Sequence, residues 1–213
     1  MTYGQIRDAA LRLMGQYSLA GEPIPETYNN QSDALLRLPE LGDDAQCLIA
    51  AGPRRIRAAK KLLPEKGKTQ DGMARFTLPE DLMEQIPGGL LVLRGGSGGY
   101  DTRYLQLDER HILLPDFEGG AVWLEYYRRP ERVTDRIAPG EKLPHDDLLL
   151  DNAPETHRAI PYYAAAHLLL HEDAFAYATL MNEWQTQLLS LYRLPQPRRS
   201  VVTDAYQWEA LHV

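Results

Sequence analysis

Two histidines in the C-terminal half of the chain have a spacing that suits a metal site. His167 and His171 would share one face of a helix, with Glu172 beside the second histidine. The metalloprotease pattern H-E-x-x-H is absent, and no third ligand follows at a recognisable spacing. We therefore predict no metal, and we interpret the two histidines as residues at the edge of a core or of an interface.

Two pairs of aspartates, Asp43-Asp44 and Asp146-Asp147, are candidate catalytic carboxylates. Each pair lies at a predicted helix or loop boundary, where carboxylates commonly cap backbone N–H groups. The pattern G-x-S-x-G occurs in the glycine-rich stretch at residues 95–99, but a strand-like segment follows it instead of the helix that a nucleophile elbow needs. The one cysteine, Cys47, has small and apolar neighbours. A Ser-His-Asp triad is a spatial arrangement without an obligatory sequence pattern, so that alternative stays open. We predict no catalysis and no cofactor.

A glycine-rich stretch in the middle of the chain resembles a phosphate loop in composition. A phosphate loop needs a following helix whose N–H groups face the anion, whereas this stretch precedes a strand-like segment. We predict instead a mobile hairpin tip that contacts another subunit in an assembly. Its residues are Gly95, Gly96, Ser97, Gly98 and Gly99.

One concentrated basic patch is present. Such a patch could bind nucleic acid, pair with acidic residues across a subunit contact, or form a solvated helix face. The formal net charge of −7 argues against a protein held on nucleic acid mainly by phosphate neutralisation. The patch consists of Arg54, Arg55, Arg57, Lys60 and Lys61.

The elements that must position these residues are helical at both ends of the chain and β-rich between them. Thr2 and Gln5 predict a capping box at the first helix. Pro39 should kink or break the second helix, whose apolar stripe continues to Leu63. The last helix is expected to carry its large apolar residues on one side, which consists of Phe175, Ala178, Met181, Trp184, Leu188, Leu191 and Tyr192.

The resulting fold class is α+β: a mainly α-helical bundle of about four helices with a small antiparallel β module inserted mid-chain. We expect residues 1–72 to form the first helical half and residues 73–140 the β module. Residues 141–195 should form the second helical half, and residues 196–213 an extended docking tail. The tail follows Pro195 and Pro197 and offers apolar anchors for a neighbouring subunit or another protein, with folding back on its own bundle as the alternative. These anchors are Tyr206, Trp208 and Leu211.

The N-terminal segment lacks the features of a signal peptide, and no stretch approaches the roughly 20 apolar residues that span a bilayer. We therefore expect synthesis in a cytoplasm and no membrane partner.

Several segments, in their order, resemble the head-to-tail adaptor (connector) proteins of tailed bacteriophages. The opening helix QIRDAALRLMGQYSLAGE, the segment YNNQSDALLRLPELGDDAQCLIA and the step FTLPEDLMEQI are similar to parts of these adaptors. The strand VWLEYYRRPERV and the segment KLPHDDLLLDNAPETHRAIPYYAAAHLLLHED resemble the closing part of their fold. The likeness covers most of residues 3–194.

This resemblance implies a virion protein at the head-tail junction. Such a protein forms a ring, expected to be a dodecamer, below the portal protein and extends the DNA channel. It also presents a surface to the tail or to stopper proteins. Genomic DNA would pass through without sequence-specific binding. The alternatives are a small phage-encoded enzyme and a DNA-binding regulator that uses the basic patch from Arg54 to Lys61.

Overall fold

The computed structural model describes residues 1–15, 31–70, 73–94, 97–100, 104–115, 117 and 119–194. The chain divides into two compact units. Within the described residues, a helical unit combines residues 1–55 with residues 130–194, and a β unit is formed by Ile56–Arg129.

Four α-helices make up the described part of the helical unit. They are α1 (Tyr3–Leu13), α2 (Gln31–Ala51), α3 (Ile160–Leu169) and α4 (Ala174–Arg193). The short helix α3 is central, because each of the other three packs against it. Three consecutive alanines, Ala164 to Ala166, are fully buried there. Their small side chains let neighbouring helices approach a single helix from several sides.

The predicted capping box of α1 is confirmed. The backbone N–H of Gln5 donates to the Thr2 hydroxyl at 3.4 Å, and the Thr2 N–H donates to the Gln5 side chain at 3.0 Å. The sequence predicted a kink or a break at Pro39; the helix is not broken there, because α2 runs through this proline. A proline inside a helix costs about 3 kcal/mol. Burial of Ala34 and Leu38 on the same helix offsets that cost.

The β unit contains two four-stranded sheets, and all of its described strand pairings are antiparallel. The first sheet has the order β1-β8-β4-β5 and the second the order β2-β3-β7-β6. The strands are β1 (Ile56–Leu62), β2 (Pro64–Gln70), β3 (Met73–Thr77), β4 (Leu82–Arg94), β5 (Ser97–Tyr100), β6 (Leu105–Gln106), β7 (His111–Pro115) and β8 (Ala121–Arg128).

Both sheets contribute to one hydrophobic core, so they pack face to face as a sandwich. Phe76 and Leu114 from the second sheet and Leu90 and Leu124 from the first are almost completely buried in it. Gly89 in β4 allows a close backbone approach, since a Cβ atom there would lie 2.5 Å from the carbonyl oxygen of Glu125. The β unit therefore has a core of its own.

The predicted fold class is wrong. A mainly helical bundle with a small β module was expected, but the described chain is mixed: four α-helices and two antiparallel sheets. The expected helical continuation through Leu63 is strand β1, and Pro64–Gln70, expected within the first helical half, is strand β2. The boundaries of the β unit accordingly lie at 55/56 and 129/130 rather than at 72/73 and 140/141.

The physical reason is tertiary pairing. Every residue of β1 is paired with β8, from Ile56 opposite Arg128 to Leu62 opposite Val122. The alanine and lysine content of this segment favours a helix only weakly. The hydrogen bonds and the buried face gained along a whole strand outweigh that preference.

Candidate subunit interface

The outward face of α4 is the largest unusual surface of the helical unit. Phe175 is 83% exposed and Leu189 is 61% exposed, although both are large and apolar. Helix α4 has 20 residues, of which only Glu183 and Arg193 are charged. We call its outward residues the α4 surface; they are Phe175, Ala178, Asn182, Gln185, Thr186 and Leu189.

Hydroxyl groups on α4 are engaged within the helix. Thr179 and Thr186 each donate to the carbonyl oxygen four residues earlier, at 2.9 Å. Ser190 donates to the Gln187 carbonyl oxygen at 2.6 Å. A hydroxyl group that is already bonded loses little when water is removed. The α4 surface can therefore be buried against a protein at a low desolvation cost.

The exposed face of α2 has a different character. Leu36 and Leu48 are about half exposed there, but Asp33, Glu40 and Asp44 lie between and beside them. Charged residues on an exposed helix face are typical of a solvated surface. The exposed face of α2 thus carries charged residues, whereas the α4 surface carries none.

The sequence grouped Phe175, Ala178 and Tyr192 on one side of the last helix with Trp184 and Leu191, but in the structure the first three are exposed. The buried residues of α4 are Leu180, Trp184 and Leu191. Phe175 lies in the first turn, next to the capping residue Asp173, whose carboxylate accepts from the Phe175 N–H at 3.0 Å. The scarcity of charged residues along α4 was the available sequence signal for an outward surface that is not simply solvated.

The predicted basic patch is divided by the fold. Arg54 is 6% exposed and forms an ion pair with Glu155, with 3.5 Å between Nε and Oε1. Arg55 is exposed at the end of the helical unit, whereas Arg57 belongs to strand β1 of the β unit. Lys60 and Lys61 are consecutive residues of strand β1, so their side chains lie on opposite faces of the sheet. The five cations thus do not share one helix face.

The glycine-rich stretch is only partly described. Ser97, Gly98 and Gly99 belong to strand β5, which pairs with β4. These three residues are therefore strand residues paired with β4, an extended backbone that glycine readily adopts, and the expected mobility and subunit contact of the stretch stay predictions. Gly95 and Gly96 lie outside the described residues, as do the predicted tail anchors Tyr206, Trp208 and Leu211.

The two histidines considered as metal ligands do not share a helix. Helix α3 ends at Leu169, so His171 lies beyond it and is exposed. His167 packs between aromatic rings, with ring centroids 4.3 Å from Tyr163 and 6.1 Å from Tyr177. Burial lowers the pKa of His167. Within the described residues, His, Cys, Asp and Glu side chains form no cluster of three that could hold a metal ion.

Asp43 is a structural residue in the middle of α2 rather than at a helix boundary. It is 2% exposed. Its carboxylate accepts from the N–H of Val133 at 2.6 Å, from the N–H of Thr134 at 3.1 Å and from the Thr134 hydroxyl at 2.7 Å. These bonds cap a short 3₁₀ turn, Thr134–Arg136, from a distant helix. The neighbouring Asp44 is exposed.

Asp146, from the second aspartate pair, also binds within the helical unit. Its carboxylate accepts from Arg7 of α1, and its backbone carbonyl accepts from the Gly4 N–H at 3.0 Å. A Cβ atom on Gly4 would lie 2.9 Å from the Asp146 side chain. This pair therefore fixes the connection before α3 against the first helix.

The β unit carries a groove of about 560 Å³. Leu78, Pro79, Leu82 and Met83 form its apolar part. Its charged lining mixes both signs: Glu80, Glu84, Glu109, Arg110 and Arg129. Nearby, the buried Tyr126 donates to Asp81 at 2.9 Å, and burial raises its pKa. The groove resembles a surface for polar peptide contacts more than a pocket for a small apolar ligand.

The chain matches no protein-family model, and no curated protein matches it significantly. None of the helices in the described part of the chain combines the length and apolar character needed to cross a lipid bilayer.

Proposed function

We propose that this chain is a structural head-to-tail adaptor of a tailed bacteriophage. In this proposal it forms a ring, a dodecamer, under the portal protein at the head-tail junction of the virion. It is made in the host cytoplasm, extends the DNA channel and presents the attachment surface for the tail or for stopper proteins. It acts without catalysis and without a cofactor.

The observation that carries the proposal is the α4 surface. Large exposed apolar residues grouped on one face mark protein association more often than solvation. A closed ring requires a heterologous contact, in which each subunit offers one surface to its neighbour and a different surface to the next. The part of this helix face from Phe175 to Leu189 carries no charged side chain and is about 21 Å long at 1.5 Å per residue, which suits one side of that contact.

The charge of the chain also supports the proposal. With 30 acidic and 23 basic residues, the chain carries a formal net charge of −7. A negative conduit does not hold the phosphate backbone, so genomic DNA passes through it without sequence-specific binding. The alternative of a DNA-binding regulator is weakened, because Arg54 is buried against Glu155 and is not available to phosphates.

The test is co-expression of the chain with the portal protein encoded by the same genome, followed by isolation of portal complexes. Leu189→Glu replaces one of the two large apolar residues of the α4 surface, at its C-terminal end, by a charged residue, and we expect it to abolish ring formation on the portal while the monomer stays folded. The matched control is Leu63→Glu, since Leu63 is 73% exposed but lies in the β unit.

Two results would contradict the proposal. One is failure of the unmodified chain to bind the portal in any stoichiometry. The other is normal ring formation by Leu189→Glu, which would leave the α4 surface without the role assigned to it.

A further inference from the structure

Three polar side chains in the core of the helical unit each have an atom that finds no hydrogen-bond partner in the described part of the chain. These atoms are the Tyr3 hydroxyl, Oε1 of Gln46 and Oδ1 of Asn152. Tyr3 is 4% exposed, Gln46 is fully buried and Asn152 is 3% exposed. Burying a polar group without a partner destabilises a fold, so native proteins satisfy nearly all such groups. The three atoms therefore point to a small ligand with hydrogen-bonding groups of its own.

The orientation of the two amide groups follows from the partners of their nitrogen atoms. Nε2 of Gln46 donates to the Asp43 carboxylate at 3.3 Å, so Oε1 is directed away from that negative charge. Nδ2 of Asn152 donates to the backbone carbonyl oxygen of Gln46 at 3.1 Å. Reversing either amide would place two oxygen atoms against each other. The unpaired atoms of Gln46 and Asn152 are therefore both acceptors.

The three side chains border the same part of helix α2. Gln46 lies three residues after Asp43 and shares a face of α2 with it. The carboxylate oxygen that accepts from Gln46 also accepts from the N–H of Val133 at 2.6 Å. Tyr3 belongs to the same buried cluster as Val133, and Asn152 contacts Gln46 directly. These contacts define a polar region beside α2, which we call the Gln46 region.

The Tyr3 hydroxyl is a donor at neutral pH. Burial raises the pKa of Tyr3 to about 12. Arg7 lowers this pKa, whereas the charges of the Asp146 and Asp43 carboxylates raise it. The effect of Asp43 is consistent with a hydroxyl that lies close to the Gln46 region. The ligand thus meets one donor and two acceptors.

We propose that one buried water molecule binds in the Gln46 region and joins the three atoms. It donates to Oε1 of Gln46 and to Oδ1 of Asn152, and it accepts from the Tyr3 hydroxyl. Three hydrogen bonds are typical of a buried water molecule, and such molecules occupy polar rather than apolar cavities. A single water molecule therefore supplies the partners that all three atoms need.

A metal cation suits the Gln46 region less well. Two amide oxygens and one hydroxyl oxygen are fewer ligands than the roughly six to eight oxygens that surround Ca²⁺. The Asp43 carboxylate is already engaged, because it accepts from Gln46 and from the backbone N–H groups of Val133 and Thr134. The donor and acceptor count accordingly favours water.

This water molecule joins parts of the helical unit that are distant in sequence. Tyr3 is in α1, Gln46 is in α2, and Asn152 is in the connection that leads to α3. The inference does not rest on the proposed ring, since it concerns the core of a single chain.

Nuclear Overhauser measurements between water and the isotope-labelled full chain detect such a molecule directly. We expect cross-peaks from a long-lived water molecule to the Cγ protons of Gln46 and to the Cβ protons of Asn152, which do not exchange with solvent. Ile160 and Ala165 are fully buried among apolar groups and should show no cross-peak to water. They control for indirect transfer of magnetisation through the core.

The variant Tyr3→Phe tests the third partner. Because the water molecule loses one of its hydrogen bonds, the cross-peaks should weaken, and the equilibrium constant of unfolding should rise by up to about tenfold. A hydroxyl that is simply unpaired would give the opposite sign, since its removal would stabilise the fold. The matched control is Tyr163→Phe on α3, which should leave the cross-peaks unchanged.

Absence of the cross-peaks to Gln46 and Asn152 would overturn the proposal, and so would a Tyr3→Phe variant that is more stable than the unmodified chain. Loss of the cross-peaks when sodium or potassium chloride is added would assign the Gln46 region to a cation and overturn the proposal equally.

Discussion

Replacement of Asp43 by alanine should destabilise the helical unit far more than replacement of the adjacent Asp44. Asp43 is buried and accepts three hydrogen bonds from Val133 and Thr134 at 2.6–3.1 Å. Asp44 is exposed on the same helix. The two variants remove the same charge from neighbouring positions, so the difference between them isolates the buried contacts.

The magnitude follows from the groups left without a partner. Two backbone N–H groups lose their acceptor, at about 1–3 kcal/mol each, and the Thr134 hydroxyl loses a further bond to a charged group. The ion pair of Arg132 with Asp43, at 3.6 Å, adds about 0–1 kcal/mol, because the arginine side chain is 54% exposed. We expect Asp43→Ala to lower the free energy of unfolding by about 3–5 kcal/mol, and Asp44→Ala by less than about 0.5 kcal/mol.

Urea unfolding followed by helical circular dichroism measures the difference, and hydrogen exchange locates it. The amides of Val133 and Thr134 should lose their protection in Asp43→Ala and keep it in Asp44→Ala. Equal stability of the two variants, or protected Val133 and Thr134 amides in Asp43→Ala, would refute the assignment of Asp43 as the distant cap of this turn.

Three further predictions concern stability. Burial lowers the pKa of His167, so below about pH 6.5 the unfolded state binds more protons than the folded state, and the free energy of unfolding should fall as the pH is lowered. In urea unfolding at a series of pH values, His167→Phe should reduce this pH dependence. The exposed His171→Gln should leave it unchanged. Gly89→Ala should destabilise the β unit by about 1–3 kcal/mol, because the new Cβ atom would lie 2.5 Å from the Glu125 carbonyl oxygen. If the amides of β4 and β8 exchange in this variant as slowly as in the unmodified chain, the prediction is wrong. Gly42→Ala, with open space around the new methyl group inside α2, should raise the free energy of unfolding by about 0.5–1 kcal/mol, and a loss of stability would show that the site is strained.

Local signals in the sequence predicted the helical elements best. The Thr2 and Gln5 capping box depends on residues three positions apart, and the structure confirms it. Asp173, directly before α4, likewise accepts from the nearby N–H groups of Phe175 and Ala176. Such contacts form within one turn, so the sequence around them is sufficient to identify them.

The extent of the β unit depends on pairing partners far along the chain. Strand β1 pairs with β8, more than 60 residues later, and a helix-compatible composition concealed this. A local signal was available for β2 and β3: Gln70 pairs with Met73, and the two residues between them are Asp71 and Gly72. Asp-Gly between strand-like segments is a strong hairpin signal.

The candidate surface was missed for a different reason. The sequence grouped Phe175 with Trp184 and Leu191 on one side of the last helix, and an apolar residue in such a group is normally expected in the core. The 83% exposure of Phe175 follows from the direction of α4, which Leu180, Trp184 and Leu191 determine by packing inward. In the sequence, the one signal that distinguishes this interface from a solvated surface is the scarcity of charged residues along α4.

The most direct test of the proposed function is an electron cryomicroscopy reconstruction of the chain bound to the portal protein of the same genome. We predict a closed ring, with twelve copies, in which the α4 surface around Leu189 is buried between adjacent subunits. A chain that does not bind the portal, or a ring in which Phe175 and Leu189 remain in solvent, would contradict this account.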